Sequence, residues 1–262
     1  MGTRVKSNKE ELAVGLVKIS RRSETKHDYK DGFSCLPILV NEYRDASLYR
    51  CSLKPGARIE PDIYPLTRHN QVFLFTNGKG YITTPRRIFR IFEVSVFVPE
   101  FDVEGFSIHA AADADEPLDF VRIVTEVNDY DKTSLVDSRM ELPRFRGVSE
   151  AWRYKERFTG AGVTQMMLLE HRNLGRLSMG ANFGDGPNYI GQHMHNELEQ
   201  WYIMLPGTKF TYTAGDEKIK LEGGDIIYTP HGCQHGSECV EGESFAYVWF
   251  ELCQDGYPGE IK

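Results

Sequence analysis

Residues 191–207 read GQHMHNELEQWYIMLPG, and residues 224–235 read GDIIYTPHGCQH. Three histidines and one glutamate stand at fixed spacings here: His193, His195, Glu199 and His235. Alternate side chains of a strand share a face, so His193 and His195 point the same way. Glu199 starts the next apolar run. If it faces inward, Trp201 and Ile203 face inward with it. His235 comes later, from the loop after Pro230-His231-Gly232. Two imidazoles, a carboxylate and a third imidazole suit one divalent first-row metal: Zn, Mn, Fe, Ni or Co. Such a set leaves a coordination position open for water or a substrate.

Around this stretch the chain reads as all-β. Short runs rich in aromatic and β-branched residues alternate with turn residues. In the first half these runs are Ser47–Leu53, Gln71–Thr76, Tyr81–Thr84, Ile88–Val98 and Phe120–Thr125, with Asn77-Gly78 as a hairpin signal. Residues 127–162 are charged and lack strand alternation, and Ser149–Phe158 is expected to form a short helix capped by Ser149. The strand pattern restarts with Val163–Glu170, Arg176–Gly184, Leu198–Leu205, Thr208–Tyr212, Asp225–Thr229 and Phe245–Leu252. Glu10–Val17 reads as a short helix or an edge strand. The two strand blocks open and close alike, with Lys54-Pro55-Gly56, Asn70–Leu74 and Pro99 in the first matching Gly180–Gly186, Leu198–Tyr202 and Pro230 in the second. This has the look of an internal duplication.

Composition narrows the function classes. The 262 residues are 40% hydrophobic and 12% aromatic, enough for a sizeable core. A net charge of −7 argues against nucleic acid or an anionic membrane surface as the main partner. No apolar run approaches the roughly 18 residues of a membrane span. The N-terminal MGTRVKSNKEELAVG has no signal-peptide hydrophobic stretch. Five cysteines form no CxxC pair and read as free thiols of a reducing cytoplasm.

The spacing of the histidines resembles the cupin superfamily. Its first motif, His-x-His followed after three or four residues by Glu and later by Gly, matches His193-Met194-His195, Glu199 and Gly207. Pro187, one residue past Gly186, stands where the motif's leading glycine belongs. The second motif, Gly, five residues, Pro-x-Gly, two residues, His, matches Gly224, Pro230-His231-Gly232 and His235. Cys239 replaces the usual final Asn. The resemblance implies two tandem cupin barrels (double-stranded β-helix or jelly-roll) joined by a partly helical linker. Residues 31–130 would form a degenerate barrel without metal, 131–162 the linker, and 163–262 the metal-binding barrel. In the first barrel Glu60, Asp62, Gln71 and Glu104 stand near the ligand positions, so a structural or oligomer-forming role is expected there. Arg86, Arg87 and Arg90 read as a solvated strand face. His231 is expected at the pocket rim, and His27, His69, His109 and His171 as ordinary surface or core residues.

The pocket candidates are Trp201 and Ile203 by alternation, Met179, Asn182 and Tyr189 before the first motif, Gln234 beside the last ligand, and Tyr247 and Trp249 on the final strand. Aromatic walls with a few amides suit a small polar organic molecule. A weaker resemblance links the ending EGESFAYVWFELCQDG and Gln234 to the ureidoglycine aminohydrolases, whose ligands mix Glu, His and Gln. Another links the second motif to uronate isomerases. The resulting expectation is a metal-dependent enzyme of isomerase or hydrolase type acting on a small polar organic or carbohydrate-derived acid. The alternatives are an Fe- or Ni-dependent dioxygenase and a non-catalytic binding protein. A homodimer is a further possible state.

Overall fold

The computed structural model describes residues 17–138 and 140–257, so the element expected over 10–17 lies outside the described residues except for Val17. Every strand pair is antiparallel, and the strands form three sheets. In the first half, a six-stranded sheet runs in the order Arg144–Gly147, Ser95–Val98, His69–Asn77, Leu118–Glu126, Ala46–Leu53, Phe33–Ile38. A four-stranded sheet of Arg58–Ile59, Ser107–Ala110, Gly80–Thr83 and Ile88–Ile91 faces it. In the second half, Ile226–Thr229, Leu198–Met204, Ser244–Cys253, Leu177–Asp185 and Thr164–Leu174 lie side by side. Asn188–His193, Lys209–Ala214, Glu217–Glu222 and His235–Cys239 close the other wall.

The alternation of each strand explains how the halves meet. Phe73, Phe75, Phe97, Phe120 and Ile108 fill the interior of the first barrel. Val72, Leu74, Val96, Val121 and Ile123 on the same strands point the other way. They pack on Leu177, Met179, Trp201, Ile203, Phe250 and Leu252 of the second half. The interior of the second barrel is a separate aromatic cluster built on Tyr202, Phe210, Tyr212, Tyr247 and Trp249. The strands between two apolar layers are therefore buried on both faces, which removes the hydrophobic–polar alternation of a half-exposed sheet. Burial of a side chain such as Phe250 in this layer contributes about 2 kcal/mol.

Several links cross between the halves. Lys18–Ser20 pairs with Ile226–Thr229 of the second sheet, and the Arg50 guanidinium donates to the carbonyls of Ser20 and Gly224. Arg176, 1% exposed, pairs with Asp131 at 2.9 Å and Asp45 at 3.2 Å, and donates to the carbonyls of Glu126 and Gln254. A buried guanidinium is tolerable because each side of it meets an acceptor.

The structure corrects four local expectations. The helix is Asp129–Asp137, where Asn128 and Asp131 form a reciprocal capping box. Over the residues expected to be helical there is a 3-10 turn, Val148–Glu150, then the strand Trp152–Tyr154 paired with Thr164–Leu174. Trp152 and Tyr154 favour a pleated surface, and the neighbouring strand supplies one. Ile88–Val98 is two strands, split at Phe92–Val94 between the two sheets. Asn77-Gly78 is a turn but not a hairpin. Its flanking strands enter different sheets, and at φ +86° with Pro117 against its α-carbon, only glycine fits Gly78. The five cysteines are free. No helix is long and apolar enough to cross a membrane among the described residues.

Candidate metal centre and its cavity

His193 ends the strand Asn188–His193 and stands directly opposite His235 on the strand His235–Cys239. Their ring centroids are 4.4 Å apart. His195, two residues on, brings its ring to 5.0 Å from that of His193. Its carbonyl accepts from the Gly232 N–H at 2.7 Å, which ties the two motif loops together. One nitrogen from each of His193, His195 and His235 lies within 4.8 Å of the others.

Tautomer and charge favour a bound cation. Nδ1 of His193 lies 2.9 Å from the Gly191 carbonyl, and Nδ1 of His235 lies 2.9 Å from the Cys233 carbonyl. A carbonyl only accepts, so each Nδ1 carries the proton and each Nε2 is left with a lone pair. Nε2 of His235 is buried and has no hydrogen-bond partner. Burial, with the nearby ring of His193, lowers the His235 pKa to about 3. Burial also lowers that of His193. Both rings are therefore neutral at pH 7, the state a metal ligand needs. Phe158 stacks on His193 with centroids 4.0 Å apart and holds the ring in place. The donor set fits a first-row divalent ion, and the orphaned Nε2 is a buried polar group that such an ion would satisfy.

Glu199 is not with the histidines. It stands on the opposite face of Leu198–Met204, 2% exposed. Its carboxylate accepts from the Tyr228 hydroxyl at 2.6 Å, from His231 Nδ1 at 2.6 Å and from the Gln254 amide at 2.7 Å. Gln200 takes the inward position instead, separated from His195 by four residues rather than three. Trp201 and Ile203 share a face with Glu199 as alternation requires, but that face is the layer between the barrels. Both faces of this strand are apolar, so the sequence pattern carried no signal to choose between them.

The three histidines open into a cavity of about 450 Å³. Of the expected lining residues, Asn182, Tyr247 and Trp249 are there, with the Asn182 amide donating to the Tyr247 hydroxyl at 3.1 Å. Burial pushes the Tyr247 phenol up to about 12, so it stays protonated. Gly180 makes room for the Trp249 ring, since a Cβ there would lie 2.3 Å from it. Trp201 and Met179 belong to the inter-barrel layer, Tyr189 is 55% exposed outside the cavity, and Gln234 is an exposed loop residue. Sequence reasoning missed Gln200, Glu251 and Glu156. The Gln200 amide donates to Glu251 at 2.8 Å, and burial raises the Glu156 pKa. Glu156 lay in the segment read as a helical connection, so nothing marked it.

The remaining residues fall as follows. His231 sits at an exposed rim against Glu199. His171 also lines the cavity, 3.8 Å from Glu251, rather than standing apart from it. His27 bonds Ser34, His69 bonds Glu126, and His109 bonds Ser107. In the first barrel Glu60 pairs with Arg58, Glu104 with Arg86, and the Gln71 amide donates to the Asp62 carbonyl. Arg87 and Arg90 are exposed.

Residues 182–251 match the model of the cupin domain, the span that carries all three histidines. The whole fold recurs in solved structures at low identity. A protein of Pseudomonas aeruginosa described as glyoxylate-induced superposes with a TM-score of 0.68 at 12% identity, over 88% of this chain and 84% of that one. The oxalate decarboxylase of Lactobacillus farciminis, solved with formate, gives 0.66 at 11% identity over 91% and 86%. A cupin 2 conserved barrel domain protein of Leptotrichia buccalis gives 0.61 at 14% identity over 90% and 96%. No curated protein sequence matches the chain. The architecture is thus the cupin barrel, used twice. Residues 182–251 carry a cupin domain, and the chain as a whole shares the fold of these structures.

Proposed function

We propose that the protein is a metal-dependent enzyme of isomerase or hydrolase type, acting on a small polar organic or carbohydrate-derived acid. His193, His195 and His235 would hold one divalent transition metal, Zn, Mn, Fe or Ni. The observation that carries this reading is the buried, unpartnered Nε2 of His235 converging with two other imidazoles at the cavity. Bound there, the ion supplies a Lewis acid for a substrate oxygen. The chain's own residues supply the rest. Glu156, its pKa raised by burial, is the carboxyl suited to take and return a proton. Glu251 holds the Gln200 amide toward the triad, and the Tyr247 hydroxyl with Asn182 offers hydrogen bonds to a polar substrate. Phe158, Trp249 and Tyr202 exclude water from the floor of the cavity. The division of labour in this reading is a metal-free barrel over 31–130, a connection over 131–162 and the reactive barrel over 163–262, with Glu156 and Phe158 of the connection reaching its cavity. A cytoplasmic location is supported by the five unbridged cysteines. We also propose a homodimer, to be measured by light scattering.

A dioxygenase is the second reading. What favours it is that a group of imidazole donors suits iron and nickel as well as zinc. Metal analysis of the purified protein, followed by oxygen-uptake assays on hydroxy and keto acids, separates the two. Zn or Mn without oxygen uptake supports the first reading, and Fe with stoichiometric oxygen uptake replaces it by the second.

A further inference from the structure

Apart from the histidine triad, the charged groups of the cavity are acidic. Glu156 and Glu251 line it, Glu197 stands at its rim, and among the described residues no lysine or arginine lines it. Glu156 has no ion-pair partner among the described residues, and Glu251 has only His171 at 3.8 Å. The two carboxylates are close enough to repel one another. Tyr154 feels both charges and hydrogen-bonds Trp249, and its ring meets that of Trp152 at 5.8 Å. Two uncompensated carboxylates walled by aromatic rings attract a nitrogen cation by charge and by the ring quadrupoles. Elsewhere in the same cavity the buried Nε2 of His235 is aimed inward without a partner.

Resting on the histidines as metal ligands, we propose that the substrate is an amino-bearing acid. Its anionic oxygen goes to the triad, and its protonated nitrogen lies between Glu156, Glu251 and the rings of Trp152, Tyr154 and Trp249. A dicarboxylate is repelled from that second position. The test uses the full chain loaded with Mn(II), titrated calorimetrically with 4-aminobutyrate, butyrate and succinate, three probes that differ at the far end. The amino acid should bind about tenfold tighter than butyrate, which corresponds to about 1.4 kcal/mol. Succinate should bind weakest. Glu156→Gln should reduce the advantage over butyrate, and Glu251→Gln serves as a second variant if that one folds poorly. Equal affinities, preference for succinate, no binding of any probe, or an advantage that survives both substitutions overturns the proposal. Metal analysis of the same samples distinguishes the failures: without bound Mn the reading of the histidines falls as well.

A second, independent observation concerns Cys35 and Cys51. They face each other in register on the antiparallel strands Phe33–Ile38 and Ala46–Leu53, with their sulfurs 3.3 Å apart. Directly opposed antiparallel residues have Cα atoms about 4.5 to 5.5 Å apart, within the span a disulfide bridges. Cys35 is partly buried and Cys51 buried. The Cys51 thiol donates to Cys35, which helps bring the Cys35 pKa down to about 7.

The geometry points to a reversible dithiol site that reacts with small disulfides such as oxidised glutathione. The Cys35 thiolate attacks one glutathione sulfur and expels the other as a thiolate. Cys51, losing its proton, then attacks Cys35 and releases the second glutathione. Two protein thiols are oxidised to one disulfide, and one glutathione disulfide is reduced to two thiols. After incubation with oxidised glutathione, mass spectrometry of the full chain should show the loss of two hydrogens, mapped to a Cys35–Cys51 peptide pair. Cys51→Ser should stop at a mixed disulfide on Cys35. A bridged product from Cys35→Ser, or only mixed disulfide in the unmodified chain, overturns it.

Discussion

The side chains of Glu199 and His231 meet at 2.6 Å on the far side of the strand Leu198–Met204 from the histidine triad. His231 also donates its backbone N–H to the same carboxylate at 3.3 Å. Glu199 thus holds the loop over 230–235, which delivers His235, instead of meeting a metal itself. Glu199→Ala would leave the Tyr228 hydroxyl, His231 and the Gln254 amide without their acceptor. Denaturant unfolding should show a loss of about 3 kcal/mol, the scale of charged hydrogen bonds to a buried group. Metal per chain should stay at the unmodified level. Loss of metal with stability intact would put Glu199 back among the ligands.

His193 and His195 should be required together for metal. Their joint replacement by Ala removes two of three donors, so atomic absorption after dialysis should find no bound ion. In the unmodified chain, free metal at a hundred times its Kd should raise stability by about 2.7 kcal/mol. The double variant should show no such rise in Tm.

Acid should destabilise the metal-free protein through His235. Its folded pKa of about 3 lies below the usual histidine value of 6.5. Below pH 6.5 the unfolded chain takes up a proton that the folded chain does not. Stability is therefore full above pH 6.5 and falls as pH drops toward 3, by about 1.4 kcal/mol per unit for this one group. The slope between pH 6.5 and 5 should be shallower by nearly that amount in His235→Asn. Identical slopes would show that His235 is not held neutral.

Trp201 should matter for folding and not for the site. It is 1% exposed and stacks on Phe250 at 4.7 Å in the layer between the barrels. Trp201→Ala should cost about 3 to 5 kcal/mol. Metal content and probe affinity in the surviving folded protein should be unchanged. A changed affinity would mean that the ring reaches the cavity after all.

The strand series, the repeated frame and the three histidines were legible because each is a local pattern. Turn residues, β-branched runs and His-x-His spacing need no knowledge of what lies across the sheet. The helix was misplaced because the Asn128–Asp131 capping box is short and its helix has little apolar face, whereas Trp152–Tyr154 becomes a strand only against its partner. Glu156 and Glu251 gave no local signal. Glu156 precedes the second strand block, Glu251 lies on its final strand, and the barrel brings them together.

By itself the sequence determined the all-β duplication and the chemistry of the metal donors, since the spacing of His193, His195 and His235 survives any choice of strand facing. The tertiary structure decided which neighbour joins them. With the first barrel packed on its back, the strand Leu198–Met204 is apolar on both sides. Its pattern then permits Glu199 or Gln200 to face the cavity. The registers with Ile226–Thr229 and Ser244–Cys253 select Gln200 and turn Glu199 toward His231.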